Sequence, residues 1–73
     1  MNYSLRIVSD PNIMLGKPII KGTRITVESI LKRLAEGISI QEILKAYPNL
    51  TKDDILAAIE YAADVISQEA VIT

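Results

Sequence analysis

The sequence predicts a mostly α-helical fold: a three-helix, helix-turn-helix core preceded by a short N-terminal β-hairpin or ribbon. Three observations predict it. Residues 27–35 carry apolar side chains at helical spacing behind a Thr cap, and Ser39-Ile40-Gln41-Glu42 spells a capping box. The Thr51…Asp54 pair then repeats that device within a dozen residues. The 73 residues form a single expected domain, with a ribbon arm over 1–26, a trihelical core over 27–68 and a tail over 69–73.

Each element has its own local reason. Tyr3, Leu5 and Ile7 alternate with Ser4 and Arg6, the pattern of a half-buried strand over residues 3–8. Asp10-Pro11-Asn12 is turn chemistry, because the residue before proline is pushed out of the helical region. Lys17-Pro18-Ile19-Ile20-Lys21 reads as a second strand between Gly16 and Gly22, with Pro18 confined to its start or an edge. In the first helix Thr26 is the N-cap, and Val27, Ile30, Leu31, Leu34 and Ala35 make one buried stripe that Gly37 terminates. Ile38 and Ile43 staple the start of the second helix, which ends before Pro48, and Leu50 and Ile55 staple the third. On the third helix, Ile55, Leu56, Ile59, Ala62, Ala63 and Ile66 are expected to face the core. Ala58, Tyr61 and Val65 form a second apolar row. Either a second subunit or the N-terminal ribbon can cover that row. The sequence favours a subunit interface, because so short a chain is already short of core.

Composition narrows the function. About half the residues are apolar (49%) and there is neither Cys nor His. Those absences remove Cys/His zinc sites and Ser-His or Cys-His nucleophile pairs. Asp53 and Asp54 sit where helix capping explains them better than a metal site does. No stretch free of charge exceeds six residues, so no membrane span is expected, and residues 1–8 contain no signal-like apolar run. The expectation is a cytoplasmic binding module rather than an enzyme, with no cofactor, metal or small-molecule substrate.

Charge is two-signed. Residues 1–33 hold six basic side chains against two acidic ones (+4), whereas residues 34–73 hold two basic against seven acidic (−5). If DNA is bound, the acids Asp53 and Asp54 oppose phosphate at the start of the third helix, where Lys52 stands alone. The nucleic-acid candidates are therefore Lys17, Lys21 and Arg24 on the ribbon with Lys32 and Arg33 on the first helix. For Lys32 and Arg33 the competing reading is local pairing, with Glu28 and Glu36 respectively. Arg24 is open between a phosphate clamp and an arginine bonded inside the fold. For protein contacts the candidates are Ala58, Tyr61 and Val65, extended by Glu60, Asp64 and Glu69 toward a basic partner.

The string Gly16-Lys17-Pro18-Ile19-Ile20-Lys21-Gly22-Thr23-Arg24-Ile25 resembles the opening signature of the domain-of-unknown-function 433 family. Gly37-Ile38-Ser39, Glu42-Ile43-Leu44, Tyr47-Pro48, Leu50-Thr51 and Ile55 resemble its second half. The likeness runs over residues 5–66, and Thr26 departs from it where the family commonly has proline. Both residues suit a helix start. The resemblance implies a small bacterial or archaeal protein with a homeodomain-like core. It also implies an antitoxin of VapBC-like type II pairs, which binds a PIN-like ribonuclease toxin and represses its own operon by binding operator DNA; the second apolar row of the third helix adds the expectation of a homodimer.

Overall fold

A computed structural model describes residues 2–68; the expected tail lies outside the described residues. The chain runs through a 3-10 turn (Tyr3–Leu5), strand β1 (Ile7–Val8), a second 3-10 turn (Met14–Gly16), strand β2 (Ile19–Ile20) and three helices. These are α1 (Val27–Ala35), α2 (Ile40–Ala46) and α3 (Lys52–Gln68). The strands pair antiparallel, with Ile7 opposite Ile20 and Val8 opposite Ile19.

The ribbon is shorter than its alternation predicts. Asn2 accepts from the Ser4 amide at 3.0 Å and closes a turn over Tyr3–Leu5. Asn side chains offer the backbone such local partners in place of a ladder. The turn aims Tyr3 at α3 and leaves Leu5 exposed. The Asp10 turn forms as expected, with Asp10 Oδ1 accepting from the Asn12 amide at 2.8 Å. Beyond it Met14, Leu15 and Gly16 all adopt left-handed φ values of 50°, 59° and 79°. Such a conformation costs a residue with a Cβ about 1–2 kcal/mol.

Capping holds the helices where the sequence places them. Thr26 Oγ1 accepts from the Ser29 amide at 3.1 Å. The α1 terminus closes through Gly37 (φ 87°), with the Ile38 amide on the Arg33 carbonyl and the Gly37 amide on that of Leu34. In α2 the Glu42 amide donates to Ser39 Oγ and the Ser39 amide to Glu42 Oε1, both at 3.1 Å. In α3 the Thr51 amide donates to Asp54 Oδ2 at 2.9 Å and the Asp54 amide to Thr51 Oγ1 at 3.3 Å. Ser39→Ala should cost about 1 kcal/mol, read as a lower urea midpoint with an unchanged slope.

The core takes one isoleucine from β2 and one from each helix: Ile19, Ile30, Ile43 and Ile55 are all fully buried. On α3, however, both apolar rows are split: Ile55 of the expected core row stays fully buried and Ala62 half-buried, while Val65 of the second row is 38% exposed. Ala57 and Ala58 are fully buried, whereas Leu56, Ile59, Ala63 and Ile66, expected to face the core, are exposed. Periodicity finds both rows but does not say which residues of each turn inward. The N-terminal arm decides it: Arg6 binds Asp54, and Tyr3 packs its ring edge-on to Tyr61 with centroids 5.4 Å apart. No helix among the described residues is long and apolar enough to cross a membrane.

Candidate functional site

The five basic candidates do not form one patch. Lys17 and Lys32 converge on a single carboxylate, Glu28, at 3.0 and 3.2 Å. Lys32 thus follows its local reading. Arg33 does not pair with Glu36. Its guanidinium lies 5.2 Å from the centre of the Tyr47 ring and donates to the Ser29 carbonyl at 3.3 Å. Lys21 and Arg24 remain exposed and form no ion pair among the described residues, as do Lys45 and Lys52.

The Gly22-Thr23-Arg24 turn explains why Arg24 points out. Thr23 Oγ1 donates to the Ile20 carbonyl at 2.8 Å and accepts from the Ile25 amide at 2.9 Å, while Gly22 supplies a φ of 81°. The threonine closes the turn and the arginine is left on its outside. The reading of Arg24 as an arginine bonded inside the fold is therefore set aside.

Arg6 is not among the sequence candidates, yet it organises the opposite end. Its guanidinium bonds Asp54 at 3.0 Å and lies 3.7 Å from Asp53. Alternation marks Arg6 only as an outward strand residue, and nothing local connects it to a partner 48 positions away. At the start of α3, Arg6 and Lys52 balance Asp53 and Asp54, leaving no surplus positive charge for phosphate.

Two glutamates and one phenol elsewhere in the fold set a pH dependence. Hydrogen bonds from Lys17, then Lys32, hold Glu28 below the ordinary glutamate range, and the Ser39 amide lowers Glu42 likewise. Tyr3 donates to Asp64, which raises its phenol above the ordinary value. Lowered acids stabilise the fold above their unfolded pKa, so that contribution should vanish as pH falls below about 4. A raised phenol stabilises below its unfolded pKa, so that contribution should vanish above about pH 10. The melting temperature plotted against pH should therefore drop at both ends, and Glu28→Gln should flatten only the acid limb.

Between α1 and the C-terminal half of α3 lies an open groove of about 560 Å³. Pro18, Val27, Leu31 and Ala35 line one side and Tyr61, Ala62, Val65 and Ile66 the other, with Glu28 and Lys32 at the rim. The expected interface row is split by this geometry. Ala58 is fully buried within the subunit, which corrects its assignment to an interface; the ribbon arm, weighed as the alternative cover, occupies that side. Tyr61 is half-buried against Tyr3, and Val65 is 38% exposed in the groove. Periodicity reads Leu31 and Ala35 only as core stripe, and α1 turns them toward the groove instead.

Fold and groove together define a class: a small trihelical helix-turn-helix domain with an N-terminal ribbon and an apolar cleft on one side. The chain belongs to the family described as "Protein of unknown function (DUF433)", whose profile matches residues 7–62. It is 36% identical over 56 residues to the uncharacterized protein y4eO of Sinorhizobium fredii (strain NBRC 101917 / NGR234), covering 77% of this chain and 25% of that protein. A crystal structure of a DUF433 member protein from Anabaena variabilis ATCC 29413 aligns with a TM-score of 0.81 at 32% identity, covering 86% of this chain and 62% of that one. The chain thus spans a quarter of the length of the curated relative and under two thirds of the solved one.

Proposed function

We propose that this domain is an antitoxin-like binding module rather than a catalyst, one that pairs with a PIN-like ribonuclease and makes a secondary contact with operator DNA. The observation that carries the reading is the apolar groove between α1 and α3, whose walls are Leu31, Ala35, Tyr61, Val65 and Ile66. Its occupant is a partner segment with apolar side chains flanked by basic ones. The charge balance supports that chemistry, because residues 34–73, which supply the α3 wall, carry a net charge of −5. DNA contact falls to the ribbon tip, where Lys21 and Arg24 are unpaired among the described residues.

The test is co-purification with a small ribonuclease encoded beside this gene. The wild type should hold the nuclease and inhibit it. Val65→Glu, which places a charge in the groove without touching the core, should weaken the complex at least tenfold, about 1.4 kcal/mol. A complex indifferent to Val65→Glu, or none with the wild type, overturns the reading. A second reading, a homodimeric protein-interaction module that never meets nucleic acid, draws on one observation: three of the five candidate cations are engaged within the fold.

A further inference from the structure

We propose that the groove between α1 and α3 receives its partner as an amphipathic α-helix, one that lays a carboxylate against Lys17 and Lys32. This rests on the reading of the groove as the partner's docking place and adds the form and charge of the segment that docks.

Backbone hydrogen bonding chooses the helix. The amides of Leu31 and Ala35, and of Tyr61, Ala62, Val65 and Ile66 on the facing wall, are spent within their own helices. The ribbon contributes Pro18, which has no amide and whose carbonyl already accepts from the Val27 amide at 3.0 Å. An extended segment would find no sheet edge here, and its own amides and carbonyls would lie unbonded against apolar side chains. A helix arrives with its backbone already bonded. The wall also has helical dimensions. Val27, Leu31 and Ala35 follow one another at single-turn intervals over about 12 Å, close to the reach of apolar anchors at i, i+4 and i+7 of a docked helix. Ala35 and Ala62 stand on opposite walls, and such small side chains let an incoming helix axis approach closely.

Charge chooses the carboxylate. Lys17, next to Pro18, lies 3.0 Å from one oxygen of Glu28, and Lys32 lies 3.2 Å from the other. Two ammonium groups on one carboxylate leave the α1 rim one positive charge in excess. Glu28 and Lys32 are the charged side chains that line the groove among the described residues. A carboxylate beside the apolar stripe of the docked helix supplies the missing counter-charge, whereas a lysine there would meet its own sign. The basic flank of the segment then faces α3, on the acidic half of the chain.

Fluorescence anisotropy of labelled synthetic peptides on the full chain tests the proposal. Two peptides of about 14 residues carry leucines at i, i+4 and i+7 and differ only in a flanking Glu or Lys. A third has its leucines at every second position, so that only a strand gathers them on one face. The Glu peptide should bind the wild type and become helical by circular dichroism as it does. Val65→Glu should abolish that binding, and Ile59→Lys, outside the groove, should leave it unchanged. Lys17→Ala with Lys32→Ala should weaken the Glu peptide about threefold and strengthen the Lys peptide, and Glu28→Gln should do the reverse. All three rim side chains are at least half exposed, so each variant keeps the fold. A Glu peptide that fails to bind or ignores the rim variants would overturn the proposal, as would equal binding of the strand-patterned peptide. So would a wild-type dimer that the Glu peptide takes apart, which gives the groove to a second copy. The ribonuclease complex judges the docking place and the peptides judge what docks, so the two fail separately.

Discussion

Ile55→Ala should remove about 2–5 kcal/mol of stability, the usual loss for a fully buried isoleucine whose cavity cannot collapse. For a chain of 73 residues the whole stability is about 4–11 kcal/mol, so the variant should lose a large fraction of it, read as a much lower urea midpoint. Ile55 is 0% exposed, follows directly on the buried Asp54, and belongs to the cluster that joins all three helices. Alanine is the better helix former, but the gain is only a few tenths of a kcal/mol and does not offset the forfeited burial. Leu15→Ala is the contrast. Leu15 is 93% exposed, and its removal should change the stability read from the urea midpoint by no more than about 0.5 kcal/mol. Equal effects at the two positions would contradict the burial pattern of α3.

Operator binding, where it occurs, should depend on the ribbon tip. Lys21→Ala combined with Arg24→Ala should abolish most affinity and lower the salt slope by about 1.8, at about 0.9 for each phosphate no longer neutralised. Circular dichroism should show an intact fold, because both side chains are exposed and the turn is held by Thr23. Lys17→Ala should do less, since Lys17 is already bound to Glu28. Lys52→Ala should do least, because that helix start is neutral and the exposed side of α3 carries Leu56, Ile59 and Glu60, which have little to offer base edges. The opposite ranking would restore α3 as the reading helix. No binding by the wild type at low salt, with the ribonuclease present, would leave the interaction module alone.

Most of the fold is legible in the sequence because its signals are local. Thr26, Ser39 with Glu42 and Thr51 with Asp54 act within three or four residues of themselves, and Gly37 supplies a backbone conformation that few other residues adopt cheaply. The errors arise where two local readings are equally good. Tyr3–Leu5 alternates like a strand, yet the Asn2 side chain closes it into a turn. The two rows of α3 are both apolar at helical spacing, and what each turns inward rests on Arg6 with Asp54 and Tyr3 with Asp64, pairs 48 and 61 residues apart. Of the candidate site, Val65, Lys21 and Arg24 are legible as exposed residues. The groove is not, because its other wall comes from α1 side chains that any amphipathic reading assigns to the core.

The hydrogen bond from Tyr3 to Asp64 has a topological consequence. It sets the point where the polypeptide enters the domain beside a point near the end of its last helix. A unit whose way in and way out are neighbours can interrupt a host polypeptide as a side branch, without prying apart the segments on either side. It can equally hang from a larger protein by a short double stalk.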